Sequence, residues 1–145
     1  MIQIRECTNA DFNEVVILLR QLWPDKPLDT QSLKMVFEKA LLSINQKYLC
    51  AIENNKVVGF GSLTIKNNLW QEGNLGHIDE FVVDSNSRGK GIGRQLLTEL
   101  INHAKKNKCR RVELDTALHR KEAHRFYEQQ GFEKRAYLFS MILYY

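Results

Sequence analysis

The stretch Val82-Val83-Asp84-Ser85-Asn86-Ser87-Arg88-Gly89-Lys90-Gly91-Ile92-Gly93-Arg94-Gln95-Leu96-Leu97 (VVDSNSRGKGIGRQLL) changes character twice. An apolar run ends at Val83, three glycines and three cations follow, and an amphipathic segment begins. The first N–H groups of a helix lack internal partners, and the helix dipole makes that end positive. Glycine lets a ligand approach the backbone closely. Strand, glycine loop and helix start, with Arg88, Lys90 and Arg94 adding charge, together read as a cradle for phosphate.

The elements around the cradle follow from periodicity. His77 to Val83 predicts the strand that feeds it. Ile92, Leu96, Leu97, Leu100, Ile101 and Ala104 share one side of a helix over 91–107. Upstream, Ile2 to Arg5 predicts a short strand, and Thr8 with Asp11 three residues on predicts a helix start. Phe12, Val15, Val16, Leu19 and Leu22 continue that helix until Trp23-Pro24-Asp25-Lys26-Pro27 stops it. Leu33 to Ile44 predicts a second helix. Tyr48 to Ile52 and Val57 to Ile65 predict a hairpin about Asn54-Asn55, because Asn tolerates positive φ. Lys66 to Gly76 reads as loop. Downstream come a strand at Arg111 to Asp115, a helix at His119 to Gln130 closed by Gly131, and final strand material from Phe132 to Leu143. The order βααβββαβαβ implies an α/β (α+β) fold, a mixed sheet with helices on its faces. At 145 residues without an internal repeat or linker, one domain over 1–145 is expected.

Composition narrows the function classes. No apolar run is long enough for a membrane span. MIQIRECT has no basic region followed by an apolar core, so no secretory signal is expected. Cys7, Cys50 and Cys109 are odd in number and form no CxxC pair. They read as buried thiols in a reducing, cytoplasmic setting, with no disulfide framework and no thiolate metal site. His103 and His124 have no ligand spacing, and no metal is expected. Residues 1–84 hold 8 Lys/Arg against 11 Asp/Glu (net −3), whereas 85–145 hold 13 against 6 (net +7). An anionic ligand is therefore expected on the C-terminal half. Basic residues at 85–111 are not interleaved with aromatics, so nucleic acid is not the expected partner.

The cradle is not a P-loop, since Asp84 stands in the first glycine's place. Nor is it a dinucleotide fingerprint, since Leu96 stands at the third glycine. Arg88-Gly89-Lys90-Gly91-Ile92-Gly93 instead resembles the R/Q-x-x-G-x-G/A loop of the GCN5-related N-acetyltransferases (GNAT), which binds the pyrophosphate of acetyl-CoA. Ala123-His124-Arg125-Phe126-Tyr127-Glu128-Gln129-Gln130-Gly131-Phe132 resembles the family's A-x-x-F-Y-x-x-x-G-F segment at the expected distance. With the element order, the resemblance covers nearly the whole chain.

The resemblance implies a splayed strand pair whose backbone at Phe81, Val82 and Val83 holds the pantetheine arm. Arg88, Gly89, Lys90, Gly91, Ile92, Gly93 and Arg94 would hold the pyrophosphate of acetyl-CoA, the co-substrate. Tyr127 matches the general acid that protonates the leaving thiolate. An amine must lose a proton before it attacks, and Glu80 is the favoured base or ammonium anchor, with Asp79 and His77 behind it. A bulge is usual in that strand, so alternation does not tell which side chains face the substrate. Arg120 stands where many relatives carry an asparagine, which loosens the carry-over at the start of the last helix.

The implied activity is direct transfer of an acetyl group to the primary amine of a small molecule, with no covalent enzyme intermediate. Leu18-Leu19-Arg20-Gln21-Leu22-Trp23-Pro24-Asp25 is similar to a run near the start of aminoglycoside 6′-N-acetyltransferases, which makes Trp23 a substrate candidate. Gly76-His77-Ile78-Asp79-Glu80 resembles the strand of glucosamine-6-phosphate N-acetyltransferases, so an amino-sugar phosphate is an alternative acceptor. A peptide or protein amine and a non-catalytic CoA-binding module are further alternatives. The apolar run from Ala136 to Tyr145 is either core strand or dimer contact, and relatives are often homodimers.

Overall fold

The computed structural model describes residues 1–145 in two compact units, Met1–Leu114 and Asp115–Tyr145. The first unit holds five strands: β1 (Gln3–Glu6), β2 (Gln46–Glu53), β3 (Lys56–Asn68), β4 (Gly73–Val83) and β5 (Cys109–Leu114). It also holds three helices: α1 (Phe12–Leu22), α2 (Thr30–Leu41) and α3 (Ile92–Lys106). The strands lie side by side in chain order, and every neighbouring pair is antiparallel except β4 and β5. That parallel pair requires a crossover, which α3 supplies. No helix is long and apolar enough to cross a membrane.

The helix starts are set by side chains. The Asp11 carboxylate accepts the Thr8 N–H at 2.7 Å and a two-pronged ion pair from Arg5 at 2.8 and 2.9 Å. It thereby fixes the 3₁₀ turn Asn9–Asp11 that opens α1. Burial opposes the charge, but the Arg5 bond dominates and holds the carboxyl below its usual range. Trp23 leaves helical geometry at φ −125°, ψ 69°, as the residue before a proline must. For α2 the start is Asp29, which accepts from the N–H groups of Gln31 and Ser32. The helix therefore begins three residues ahead of the apolar periodicity at Leu33.

The two sheet faces bury different cores. On one, α1 and α2 pack on Cys50, Phe60 and Val82, with Phe12, Phe37, Tyr48 and Phe60 in an edge-to-face series spaced 5.3–5.5 Å. Each such pair adds about 1 kcal/mol beyond its buried area. On the other face α3 inserts Leu96 and Leu100, both fully buried. Gly61 permits this approach: a Cβ there would lie 2.7 Å from a Leu100 methyl.

Four sequence expectations are corrected. First, β3 and β4 extend through most of 66–76, leaving only a turn at 69–72. Lys66 to Asn68 are polar and largely exposed, and Leu75 is the one apolar side chain buried between Gly73 and Gly76, so no apolar alternation marks these parts. Second, Cys7 and Cys50 are joined as a disulfide rather than left as two thiols, with Cα atoms 5.6 Å apart. Cys7 prolongs the β1–β2 ladder by donating its N–H to Tyr48 at 2.9 Å, and that pairing, not spacing along the chain, brings the sulfurs together. Third, Cys109 is a free thiol as expected but only half-buried rather than in the core, and this burial raises its pKa. Fourth, no strand forms after residue 131. Tyr137, Leu138, Phe139 and Met141 to Tyr145 are all exposed.

The second unit contains α4 (Lys121–Gln129). It closes where expected, at Gly131 with φ +98°, and Phe132 returns its N–H to the Tyr127 carbonyl at 3.0 Å. The Tyr127 ring packs edge-on against Phe126 and Phe132.

Candidate active site

The site is built on an irregularity in β4. The β3–β4 ladder pairs Leu63 with Ile78, and then Gly61 with Phe81. Ser62 alone therefore stands opposite both Asp79 and Glu80, a β-bulge. Regular strands send neighbours to opposite faces. Here both carboxylates turn to the face that α1 and α2 cover. Ser62 Oγ donates to Glu80 Oε1 at 2.6 Å and accepts the Glu80 N–H at 2.9 Å. Thr64 Oγ1 donates to Asp79 Oδ2, and His77 Nδ1 lies 2.7 Å from Asp79 Oδ1.

A cavity of about 70 Å³ lies over Glu80, with Tyr48 and Phe60 from the sheet, Leu19 and Trp23 from the α1 end, and Phe37 from α2 among its walls. Burial raises the Glu80 pKa first and the Asp79 charge adds to it, while the Ser62 bond and His77 oppose. Burial and the same two carboxylates push the Tyr48 phenol up to about 12, so it stays protonated. A carboxyl whose pKa is raised by burial, facing a small apolar cavity, is the kind of group that serves in proton transfer.

Beside this cavity β4 outruns its parallel neighbour. The β4–β5 ladder ends at Ile78 and Leu114, and β4 runs on to Val83. Phe81, Val82 and Val83 lie in that continuation. At its end Asp84 donates its N–H to Val58 and accepts from Gln21 Nε2 at 3.1 Å. Gln21 Oε1 in turn accepts the Ser85 N–H at 3.0 Å, which ties α1 to the mouth of the glycine loop.

Gly89 and Gly91 have φ +81° and +80°, and a Cβ on either would meet nothing within 4 Å. Backbone conformation, not crowding, requires glycine there, and open space adjoins both. Gly91 is the N-cap of α3, and no acidic residue occupies that helix's first turn. The positive end of α3 and the exposed glycine backbone have the chemistry to fit a pyrophosphate. Arg94 is exposed in the same turn. Arg88 donates to the Val83 carbonyl at 3.2 Å, and Lys90 pairs with Glu53 at 3.3 Å, so these two cations already have protein partners.

Tyr127 is buried on α4 of the second unit. Burial raises its phenol pKa against the opposing charge of Arg120, which keeps the hydroxyl protonated. Cys7, Asp11 and Cys50 place three ligand-type atoms within 4.8 Å of one another. The sulfurs are bonded to each other, and Arg5 and Thr8 occupy the carboxylate, so this donor set is already engaged.

Ser62, Thr64, Tyr48 and Gln21 were not legible as site residues. The one available signal was Ser62 and Thr64 following Phe60 at alternate positions of an otherwise apolar strand.

The model of the acetyltransferase (GNAT) family matches residues 4–132. The chain belongs to the GNAT acetyltransferase family. Its five-stranded sheet with flanking helices is the GNAT fold, and the family uses acetyl-CoA. Aminoalkylphosphonate N-acetyltransferase of Salmonella typhimurium is 33% identical over 97% of this chain and 91% of its own length. The solved structure of glucosamine-6-phosphate N-acetyltransferase from Arabidopsis thaliana superposes with a TM-score of 0.83 at 27% identity, over 98% of each chain. The aminoglycoside N-acetyltransferase AAC(6′)-Iy in complex with CoA superposes at 0.87 over 99% of this chain and 95% of its own, with 18% identity, a likeness of fold alone.

Proposed function

We propose that this GNAT enzyme acetylates the primary amine of a small acceptor that also carries a phosphonate or phosphate group. The observation that carries the chemistry is Glu80, a half-buried carboxylate turned by the bulge toward a small apolar cavity, just past the end of the β4–β5 ladder. The acceptor class is supported by two relatives whose names specify an aminoalkylphosphonate and an amino-sugar phosphate. It is also supported by an open cleft of about 450 Å³ between α1 and α2, lined by Arg20, Lys34, Thr30 and Gln31. The cleft shares Phe12 with the Glu80 cavity. Asp29 already takes the N–H groups at the start of α2, so the two cations, rather than the helix end, would attract an anion.

Acetyl-CoA supplies an acetyl group activated as a thioester. In this reading Gly89, Gly91 and the start of α3 hold its pyrophosphate with Arg94 alongside, and Phe81 to Val83 offer backbone to its arm. Glu80 accepts a proton from the acceptor's ammonium group, directly or through water. The freed nitrogen bonds to the acetyl carbon, the carbon–sulfur bond breaks, and Tyr127 gives its proton to the departing thiolate. The products are the N-acetylated acceptor and CoA thiol, and one proton leaves to solvent. His77 and Asp79 brace the outer side of Glu80, and Trp23 walls the acceptor. Both compact units would act as one domain, consistent with a family match that runs from 4 to 132.

The test is CoA-thiol release from acetyl-CoA. The acceptors are an aminoalkylphosphonate, glucosamine 6-phosphate, their counterparts without the anionic group, an aminoglycoside and a short peptide. The expected result is turnover with an anionic acceptor, at least ten-fold slower with its uncharged counterpart. Tyr127→Phe should lower turnover more than acetyl-CoA affinity. Equal rates with and without the anionic group reject the acceptor class. CoA binding with no release from any amine favours a binding module instead.

A further inference from the structure

We propose that Ser62 is a positioning residue that holds the Glu80 carboxylate in its working orientation. The inference deepens the reading above and rests on Glu80 as the proton acceptor.

Ser62 is fully buried in the middle of β3. A buried hydroxyl costs free energy unless it is bonded. Both of its hydrogen bonds go to a single residue. It accepts the Glu80 N–H at 2.9 Å and donates to Glu80 Oε1 at 2.6 Å. The first bond answers a need created by the bulge, which withdraws the Glu80 N–H from the regular β3–β4 ladder. The second does not serve the backbone at all. It links the head of the glutamate side chain to the strand beside its own Cα. The carboxylate is thus closed into a ring through one hydroxyl, and its rotamer freedom is removed before any acceptor arrives. A base held in place in this way needs no reorganisation when the proton moves.

Thr64 repeats the pattern one step outward, where it donates to Asp79. The two pairs differ in setting, since Asp79 is exposed and also faces His77, whereas Glu80 faces the cavity. The groups that act electrostatically on Glu80 are Asp79 and His77 on β4 and Tyr48 on β2. From α1 and α2 only apolar side chains line the cavity. Ser62 supplies the one hydroxyl donor that favours the ionised carboxylate.

The test is the pH dependence of kcat/KM for Ser62→Ala, Ser62→Cys and Ser62→Thr. Ser62→Ala should lower kcat at neutral pH by about ten-fold or more. It should also move the acid limb to higher pH, because the ionised form of Glu80 loses a donor. KM for acetyl-CoA should stay constant. Ser62→Cys fills the same space with a weak donor and should follow Ala if Ala alone fails to fold. Ser62→Thr should restore both the rate and the limb. In a Glu80→Gln background, Ser62→Ala should cost nothing further. An unmoved acid limb with unchanged kcat, or losses that multiply in the Glu80→Gln background, overturns the role of Ser62 alone. Full turnover in Glu80→Gln by itself overturns the base assignment and the inference with it.

Discussion

Glu80 sits where its own charge is unwelcome. Its pKa is raised in the folded protein by burial and by Asp79, so the fold holds its proton more tightly than the unfolded chain does. Linkage fixes the sign: the stability this residue contributes is complete below the unfolded value near 4.3, and is lost as pH rises through the higher folded value. Wherever the side chain is ionised in the fold, it therefore opposes folding. Glu80→Gln, which has nearly the same shape, is expected to melt at the same or a higher temperature at neutral pH. Its turnover should fall about 100-fold or more. Thermal melts from pH 4 to 8 beside steady-state rates check this. A lower melting temperature at neutral pH would mean that the charge stabilises the fold after all. The sequence placed Glu80, Asp79 and His77 on one strand but left their directions open. Direction depends on the β3–β4 register, which two strands settle jointly and neither encodes alone.

Helices and the inner parts of strands were legible because burial forces a period on them. Phe12, Val15, Val16 and Leu19 on α1 and Leu96, Leu97 and Leu100 on α3 lie in the core as their spacing requires. The ends of β3 and β4 were not legible, because Lys66 to Asn68 are polar and a single buried Leu75 between Asn74 and Gly76 is too little to show a period. The glycine loop was the most readable element, since positive φ restricts the residue type. Gly91→Glu should abolish CoA binding. It places a side chain at φ +80° and a negative charge at the helix end proposed for pyrophosphate. Thermal shift with CoA checks it, and an undiminished CoA-induced rise would remove the cradle from the binding site. The strain itself is of order 1–2 kcal/mol. The unliganded variant should thus stay folded and allow the comparison.

At the scale of the whole chain, the apolar run from Tyr137 to Tyr145 is the largest departure from the expected fold. It was read as core strand or dimer contact, and its side chains lie exposed without secondary structure. We propose that so large an apolar stretch is a self-association surface. Light scattering should give the mass of two chains, and Phe139→Lys with Ile142→Lys should give one; a parent monomer would reject the homodimer. The mixed sheet and the family were readable at this scale, whereas the Cys7–Cys50 bond was not, because it joins residues 43 apart that only the folded ladder brings together. The bulge has a last consequence, for engineering. What it stores is a count, one residue more on β4 than on β3. Substitution scanning keeps that count and leaves the paired carboxylates where they are. Removing either Asp79 or Glu80 would restore alternation and leave one carboxylate opposite Ser62, undoing the pair with the remaining side chains unchanged. In this enzyme, length is as heritable a determinant of chemistry as residue type.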